Sequence, residues 1–374
     1  DKLSAAVEAW VEDQTDWPPL TKSIARKWLK EGLQSRGITR DLQWGVPVPR
    51  AGFEHKVFYV WFDAPIGYLS ITKAWAAQAE GRDWLSWWQP EAGEVRYVQF
   101  MAKDNLPFHT ILWPATILGT REPWKLADYI KGFNWLNYYG GKFSTSSKRG
   151  VFLDQALEIL PADYWRYALM ANAPESSDSA FTWEQFQVKV NKDLADNLGN
   201  FVNRILKFAA SRFDSQIPAG GEPGPAEQQL EATCREKLEA IATHLRGMEF
   251  RKAADTLNAL WTVGNQYIDE RAPWALFKTD RDQAALVIRT CIHLIRIYAI
   301  AARPFLPFTA ETLSAALRLS PAEQSSCFAE AVDFTALEPG RPFDVPPPLF
   351  QKLDDDRLAA LRAQFGGEAA QSLA

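Results

Sequence analysis

Residues 57–68, Val-Phe-Tyr-Val-Trp-Phe-Asp-Ala-Pro-Ile-Gly-Tyr, decide the predicted fold of the first half of the chain. The first six residues are apolar and rich in aromatic and β-branched side chains, which favours a buried parallel strand over 57–62. A second strand is predicted over 94–101, and helices are predicted over 66–78 and 108–118. The order strand, helix, strand, helix indicates half of a doubly wound α/β sheet.

The second half of the chain is predicted to be an antiparallel helix bundle with an irregular tail. Residues 182–185 (Thr-Trp-Glu-Gln) have the capping-box pattern and open a predicted helix that runs to about Phe213. One face of this helix is apolar and is expected to pack in a core. A second face is polar and is predicted to be free to bind: Asn197, Asn200, Arg204 and Lys207. Further helices are predicted from the apolar spacing over 226–246, 250–278, 280–303 and 354–364.

Composition limits the possible functions. The 374 residues carry a net charge of -5, which argues against a protein that coats nucleic acid but allows a local basic patch. Cys234, Cys291 and Cys327 form no C-x-x-C pair, so neither a disulfide framework nor a zinc site is indicated, and a reducing, cytoplasmic location is expected. The most apolar segment, 284–308, contains a histidine and several arginines, so an ordinary membrane span is excluded and no membrane partner is predicted.

A short basic loop follows the α/β half. Residues 140–150 (Gly-Gly-Lys-Phe-Ser-Thr-Ser-Ser-Lys-Arg-Gly) combine a flexible hinge with cations and hydroxyl groups. Such groups bind phosphate oxygens, so the loop is a candidate polyphosphate site, although charge alone favours a solvated surface loop. Neither G-x-x-x-x-G-K-[ST] nor G-x-G-x-x-G occurs in the chain, so a phosphate site here is of another kind.

Two groups of candidate site residues are predicted at the carboxyl ends of the strands, where open α/β sheets bind ligands. In the first, Trp61 and Tyr68 are able to wall an apolar pocket, and an aromatic core turn is the alternative. In the second, residues 102–109, Asp104 is able to accept a hydrogen bond from a ribose hydroxyl and His109 to line the pocket. A purely structural role for this histidine is the alternative.

The motifs at 61–68, 102–109 and 142–146, in this order, resemble those of the methionyl-tRNA synthetase family of class I aminoacyl-tRNA synthetases. The resemblance covers nearly the whole chain and includes the segments 27–33 and 38–47. Any one motif is a weak signal, whereas several in the right order are a strong one. The resemblance implies an α/β second half of a Rossmann-like class I synthetase catalytic domain, followed by an all-α anticodon-binding helix bundle.

The resemblance also implies a division of the chain into five regions. They are the exit of the connective insertion with a linker (1–50), the second half of the Rossmann-like domain (51–130), the phosphate loop with a stem-contact region (131–181), the anticodon-binding bundle (182–315) and an irregular tail with a terminal helix (316–374).

The implied activity is that of a methionine-tRNA ligase, which makes methionyl-adenylate from L-methionine and ATP with Mg²⁺ and transfers methionine to tRNA-Met. The implied methionine-binding residues are Trp61, Ala64, Pro65, Tyr68, Asn105, Phe108, His109 and Trp113. The implied ATP-binding residues are Ala102, Asp104, Leu136, Lys142 and Lys148. The implied catalytic loop residues are Lys142, Ser144, Thr145, Ser146 and Lys148. The implied anticodon-reading residues are Asn200, Arg204, Pro273 and Trp274. No metal ligands are predicted within the chain, and the oligomeric state is left open.

The chain departs from the family pattern in two places. Thr145 stands where the family loop has a second lysine, and we hypothesise that Lys148 takes its place. The His-x-Gly-His motif of class I enzymes, whose imidazoles meet the ATP phosphates, is absent from the chain, and the missing half is expected to precede Asp1. The chain alone is therefore expected to bind tRNA without forming the adenylate. The alternative is a non-catalytic tRNA-binding or assembly module derived from such an enzyme.

Overall fold

The computed structural model describes residues 2–89, 95–324 and 327–366. The chain forms two compact units. Unit 1 comprises Asp1–Trp135 with Pro174–Ser177, and unit 2 comprises Leu136–Ala173 with Asp178–Ala374. The five-region division stays a prediction. Glu94 of the predicted second strand and the tail beyond 366 lie outside the described residues.

Unit 1 contains short strands and helices joined by long connections. Its strands are β1 (Thr39–Arg40), β2 (Val57–Phe58), β3 (Val98–Ala102) and β4 (Tyr129–Phe133). Its α-helices are α1 (Ser4–Asp13), α2 (Pro19–Glu31), α3 (Val60–Asp63), α4 (Gly67–Ala76) and α5 (Trp113–Thr120). It also has 3₁₀ turns at Ala64–Ile66 and Leu85–Trp87, and a π-helical turn at Phe108–Leu112 that leads into α5.

The core of unit 1 lies around the parallel pair β3 and β4, which is in register from Val98 opposite Tyr129 to Ala102 opposite Phe133. Helix α2 is fixed to this pair by Thr21, whose hydroxyl donates to the Ile130 carbonyl at 2.9 Å and accepts from the Gly132 N–H at 3.2 Å. A Cβ on Gly132 would lie 2.8 Å from Leu106 Cδ1 and 3.1 Å from Thr21 Oγ1, so any larger residue here would require these buried side chains to shift. The strand and helix predicted over 94–101 and 108–118 are thus confirmed in outline.

The strand predicted over 57–62 is wrong for most of its length. Only Val57 and Phe58 are extended, and they pair antiparallel with Thr39–Arg40 rather than parallel. The next residues form helix α3, and the side chains of Val60 and Trp61 are exposed. Short apolar runs do not distinguish a strand from a helix, and here α3 continues into the 3₁₀ turn Ala64–Ile66, where Pro65 has the fixed φ that the first turn of a helix needs.

Unit 2 is mostly helical. Its strands are β5 (Leu136–Tyr138) and β6 (Ser179–Phe181), which pair in parallel. Its longer helices are α6 (Leu153–Ile159), α7 (Ala162–Ala171), α8 (Trp183–Val188), α9 (Asn200–Arg212), α10 (Pro225–Arg246), α11 (Phe250–Arg271), α12 (Pro273–Thr279), α13 (Arg281–Ala302), α14 (Pro307–Ala316) and α17 (Asp355–Phe365). Two single-turn helices, α15 (Pro321–Gln324) and α16 (Phe328–Ala331), precede α17. A π-helical segment, Lys189–Gly199, joins α8 to α9 without a break.

The helix predicted from residue 182 is confirmed, with its start fixed as expected. The Thr182 hydroxyl accepts the Gln185 N–H at 3.2 Å, which caps the first turn. The helix predicted over 250–278 is instead broken in two at Ala272, which has a φ of 41°. Pro273 disfavours a helical conformation in the residue before it, and this accounts for the break.

Helix α13 forms the centre of unit 2. In the described part of the chain it is the one helix long and apolar enough to cross a membrane, but 94% of its apolar stretch is buried inside the protein. Trp261 of α11 and Tyr298 of α13 are both fully buried, and the Tyr298 hydroxyl donates to the Leu260 carbonyl at 3.2 Å. The helix is therefore accounted for as the core of a bundle.

The polar face predicted to be free on the 182–213 helix is only partly free. The Asn197 amide donates to the Asn258 side chain at 2.8 Å and to the Thr262 hydroxyl at 3.0 Å, and the Asn265 amide donates to Asn197 Oδ1 at 2.8 Å. Asn197 thus holds the helix against α11. Residues 200, 204 and 207 are the members of the stripe that remain to be considered for binding.

Candidate functional site

The predicted methionine pocket begins with a pair of aromatic rings in unit 1. The ring of Trp61, on α3, stacks on that of Phe108 with a centroid distance of 4.8 Å and an interplanar angle of 25°. Phe108 opens the helical turn that follows β3, so the fold places the two rings at the carboxyl end of that strand. Trp61 is 43% exposed, so one side of the pair is accessible to a ligand.

A hydrogen-bonded chain forms the polar part of the same site. The Tyr68 hydroxyl and His109 Nε2 are 2.7 Å apart, and His109 Nδ1 is 3.0 Å from the carbonyl oxygen of Asn105. A carbonyl oxygen only accepts, so Nδ1 carries the proton of the neutral ring and Nε2 accepts from Tyr68. Burial lowers the pKa of His109 and raises that of Tyr68, so both groups stay uncharged near neutral pH.

Two aromatic residues that the sequence did not identify, Tyr97 and Trp88, extend the ring contacts of Tyr68. Tyr97 meets the Tyr68 ring edge-on at 6.5 Å, and Trp88 meets Tyr97 edge-on at 4.9 Å. The Gln99 amide donates to the Tyr97 hydroxyl at 2.6 Å. The only signal in the sequence was that Tyr97 lies within the strand predicted over 94–101, which by itself is not specific for a pocket residue.

The remaining predicted methionine-binding residues have supporting positions. Ala64 and Pro65 form the turn between α3 and α4, and Pro65 is buried. Trp113 is only 5% exposed and belongs to the core of unit 1. Asn105 contributes its backbone carbonyl to His109, while its amide donates to Asp104 at 3.3 Å.

Unit 1 also contains an open cleft beside this pocket, with a volume of about 600 Å³. Asp104 and Phe108 lie on one wall, and the end of α2 with residues 32–36 forms the other. Ala102 ends β3 just before this wall. The carboxylate of Asp104 is exposed, and its role as an acceptor for a ribose hydroxyl stays a prediction.

In unit 2 the basic loop is a tight hairpin. Ser144 and Arg149 exchange both backbone hydrogen bonds at 2.9 Å, and the Lys148 N–H donates to the Thr145 carbonyl at 3.2 Å. Lys148 has a φ of 49°, so it occupies the left-handed position that closes the turn. The Ser144 and Ser146 hydroxyls are 3.2 Å apart. The loop therefore presents Lys142, Thr145, Ser146 and Lys148 as exposed side chains.

The two adjacent cations of the hairpin have different surroundings. Arg149 donates from Nη2 to the Tyr138 carbonyl at 2.8 Å, and a Cβ on Gly141 would lie 2.5 Å from the same nitrogen. Arg149 therefore fastens the loop to Tyr138, the last residue of β5. Leu136, which is an implied ATP-binding residue, is the first residue of the same strand. Lys148 is exposed. Sequence reasoning missed this role of Arg149, because it depends on a contact across the hinge.

The predicted anticodon residues meet on the helical part of unit 2. The Arg204 guanidinium lies 4.7 Å over the Trp274 ring and 3.3 Å from an Asp269 oxygen. Pro273 is buried as the first residue of α12, and Asn200 is exposed one turn before Arg204 on α9. Arg204, Trp274 and their neighbours line a shallow cleft of about 380 Å³. The fold therefore brings together an arginine and a tryptophan that are distant in sequence.

In the described ranges 2–89, 95–324 and 327–366, no three histidine, cysteine or acidic side chains lie close enough together to hold a metal ion. Cys234, Cys291 and Cys327 are free thiols.

Comparison with known protein families adds a separate line of evidence. Residues 1–206 match the family described as tRNA synthetases class I (M), and residues 217–370 match the anticodon binding domain of methionyl tRNA ligase. The chain belongs to the methionyl-tRNA synthetase family. The predicted fold class is confirmed with it: a class I synthetase catalytic region is followed by a helical anticodon-binding domain.

Curated methionyl-tRNA synthetases are similar over almost the whole chain. "Methionine--tRNA ligase 1" of Acaryochloris marina is 67% identical over 368 residues, which is 98% of this chain and 66% of the relative. The methionine-tRNA ligase of Caulobacter vibrioides is 56% identical over 374 residues, with the same two coverages. The chain thus spans just under two thirds of the length of these relatives.

Solved structures of methionyl-tRNA synthetases have the same fold. The Mycobacterium tuberculosis enzyme bound by methionyl-adenylate superposes with a TM-score of 0.82 at 25% sequence identity. The superposition covers 94% of this chain and 67% of the Mycobacterium tuberculosis chain. The apo form of the same enzyme superposes with a TM-score of 0.79 at 24% sequence identity, and this superposition covers 94% of this chain and 68% of the apo chain.

Proposed function

We propose that the protein containing these residues is a methionine-tRNA ligase, which activates methionine with ATP and transfers it to tRNA-Met. The observation that carries the proposal is the pocket of unit 1, where the Trp61–Phe108 stack adjoins the neutral Tyr68–His109 pair. The names of the curated relatives and the methionyl-adenylate bound to the structural neighbour support the same activity.

The pocket suits a flexible, uncharged thioether side chain. Aromatic faces make favourable contacts with a polarizable sulfur, and burial of the methionine side chain against Trp61 and Phe108 removes apolar surface from water. The hydroxyl of Tyr68 and the ring of His109 carry no net charge, so they add directed hydrogen bonding without requiring a charged ligand. This combination favours methionine over a lysine or glutamate side chain, whose charge would lose its hydration here.

The hairpin loop suits the phosphates of ATP, which we propose enters with Mg²⁺ as the co-substrate. When the carboxylate of methionine attacks the α-phosphorus, negative charge builds up on the departing pyrophosphate. Lys142 and Lys148 provide mobile cations, and Ser144, Thr145 and Ser146 provide hydroxyl donors. We propose that Lys148 supplies the charge that a lysine at position 145 would otherwise supply. Arg149 holds the loop in shape, because its guanidinium is bound to the Tyr138 carbonyl.

The surface around Arg204 and Trp274 suits an unpaired base of a tRNA anticodon. An indole ring offers a stacking platform, and a guanidinium offers donors to base edges. Asp269 holds the Arg204 guanidinium at 3.3 Å, so the group is partly oriented before RNA arrives. Asn200, exposed on the same helix, adds an amide that can both donate and accept.

Methionine-dependent exchange of pyrophosphate into ATP tests the proposed activity. The full-length gene product that includes these residues is expected to catalyse the exchange and to charge tRNA-Met. The 374-residue chain alone, which has no His-x-Gly-His, is expected to bind tRNA-Met without exchange. Exchange by this chain alone would contradict the second expectation, and its absence from the full-length product would contradict the first.

A non-catalytic tRNA-binding module is the second candidate, and the observation that favours it is the Arg204–Trp274 surface, which can bind RNA whether or not unit 1 supports catalysis. A full-length product that binds tRNA-Met and methionine but shows neither exchange nor charging would establish it.

A further inference from the structure

A second pair of arginines lies on unit 2 next to the predicted anticodon site. Arg212, in the last turn of α9, and Arg281, the first residue of α13, both lie over the ring of Phe277, at 5.5 and 5.1 Å. Arg281 also lies 6.0 Å over Phe213, and its Nη2 donates to the Arg212 carbonyl at 3.5 Å. Both guanidinium groups therefore lie over the same aromatic ring, that of Phe277.

Neither arginine of the pair is bridged to an acidic side chain in the part of the chain that the structure describes. Both side chains are exposed, and within the described ranges neither forms an ion pair with a carboxylate. Asp280 and Asp282 flank Arg281 in sequence, and Asp214 follows Arg212 by two residues. Among the described residues none of these three carboxylates is bridged to either arginine: Asp280 accepts the Gln283 N–H at 3.0 Å as the cap of α13, and the nearby Asp269 pairs with Arg204. Two like charges held close together repel each other, and an anion that binds both removes this repulsion.

The pair is continuous with the Arg204–Trp274 site. The ring of Phe208 lies 5.7 Å from Trp274 and 5.8 Å from Phe277, so an unbroken row of aromatic side chains joins the two sites. Lys207, exposed on α9, lines the same shallow cleft as Arg204. The result is a strip of cations along aromatic rings, which is the combination that follows a nucleic-acid backbone.

We propose that Arg212 and Arg281 bind backbone phosphates of the tRNA anticodon arm, beside the bases that Arg204 and Trp274 contact. Guanidinium groups bind phosphate oxygens in a bidentate manner, and their planar faces can stay stacked on Phe277 while they do so. Contacts to phosphates position RNA but carry no sequence information. The inference rests on the proposed tRNA-binding function, and it adds a positioning site to the base-contacting site.

The salt dependence of tRNA binding tests the proposal. The double variant Arg212→Gln/Arg281→Gln of the 374-residue chain is compared with the parent for binding of tRNA-Met and of the same tRNA with an altered anticodon, at several salt concentrations. We expect both tRNAs to bind more weakly by the same factor, on the order of tenfold, and the slope of log K against log salt to fall in magnitude by roughly 1.4–1.8 for two lost phosphate contacts. Arg204→Gln should instead reduce the preference for the cognate anticodon.

Three controls make the result specific. Arg246→Gln removes the same charge at the far end of the α10–α11 hairpin and should leave the slope unchanged. Arg212→Lys/Arg281→Lys keeps the charge and should retain the slope even if affinity falls. The melting temperature shows whether the Gln variants fold.

The outcomes separate this proposal from the proposed function. An unchanged slope in the Gln double variant, with weaker binding by Arg204→Gln, overturns the arginine-pair site alone. No binding of tRNA-Met by the parent chain overturns the arginine-pair site and the expected tRNA binding of this chain, while pyrophosphate exchange by the full-length gene product tests the ligase activity separately. Binding of inorganic phosphate that is lost in the double variant, with tRNA binding unaffected, would identify a site for free anions and would also overturn the proposal.

Discussion

The Trp61–Phe108 pocket of unit 1 and the Arg204–Trp274 site of unit 2 use aromatic side chains in opposite ways. In the pocket, Trp61 stacks on Phe108, and the adjoining polar groups are uncharged because burial suppresses ionisation of His109 and Tyr68. On the surface of unit 2, Trp274 lies beneath the charged Arg204 and remains partly open to solvent. The first arrangement selects a ligand by shape and loss of water, and the second by stacking and charge.

This difference leads to distinct responses to mutation, pH and salt. A site that works by burial should lose most when a ring is removed, and should be insensitive to salt. A site that works by charge should be salt-dependent, because exposed charges are screened within about 8 Å at physiological ionic strength.

The largest effect is expected from Trp61→Ala. Removal of the indole takes away the exposed half of the stacked pair, so binding of methionine should weaken by about 2–3 kcal/mol, with little dependence on salt. Calorimetric titration of methionine into the chain measures this. Trp44→Ala is the matched control, since Trp44 is 92% exposed in the same unit and should have no effect. An equal loss of methionine affinity in both variants would show that methionine does not bind against the Trp61–Phe108 stack.

A change in pH should affect unit 2 through His293. This ring is 1% exposed, and neither of its nitrogens has a hydrogen-bond partner among the residues that the structure describes. Burial, with a smaller contribution from Arg296, lowers its pKa from 6.5 to about 3, while Asp333 acts in the opposite direction. The folded state therefore favours the neutral ring, whereas the unfolded state takes up a proton below pH 6.5. The free energy of unfolding is unaffected by this histidine above pH 6.5 and decreases as the pH falls from 6.5 towards 3.

At about pH 5 the expected loss of stability from this histidine is about 2 kcal/mol. The variant His293→Leu should therefore lose less thermal stability than the parent between about pH 7.5 and about pH 5, as measured by circular dichroism. His55→Gln, at an exposed position, is the control and should follow the parent. If His293→Leu and the parent lose the same stability, the buried imidazole does not contribute to the acid sensitivity.

A smaller effect is expected from Trp274→Ala. Loss of one stacking platform should weaken tRNA-Met binding by about 1.5 kcal/mol, roughly tenfold. Filter binding at two salt concentrations should show the same slope as the parent, because no cation is removed. Phe308→Ala, which removes an exposed ring on α14 of the same unit, should be neutral. Binding that is unchanged by Trp274→Ala would exclude the ring as a base platform.

The smallest effect is expected from Lys148→Gln in the full-length gene product. One mobile charge in water contributes about 1 kcal/mol at about 4 Å, so pyrophosphate exchange should slow roughly fivefold. Lys148→Arg keeps the charge and should be close to the parent, and neither variant should change the melting temperature, because the side chain is exposed. An unchanged rate in Lys148→Gln would end the hypothesis that Lys148 replaces the lysine absent at position 145.

The long helices that begin at residues 183, 225 and 281 of unit 2 were predictable and the short strand of unit 1 was not, for a physical reason. Over the helix that begins at residue 183, apolar side chains recur every three or four positions for many turns, so the periodicity is unambiguous. The apolar run at 57–62 is only six residues long, and both a strand and a helix bury such a run equally well. Its conformation depends on the pairing of Val57–Phe58 with Thr39–Arg40, which no local pattern specifies.

The sequence alone determined which residue types stand next to each other in the motifs, and hence the family, the pocket candidates and the phosphate loop. Only the tertiary structure decided which of them meet. It placed Arg204 over Trp274, bound Asn197 to α11, turned Arg149 back to the Tyr138 carbonyl and set Arg212 beside Arg281. Local patterns follow from the backbone geometry of a few neighbouring residues, whereas these contacts depend on the packing of elements that are far apart in the chain.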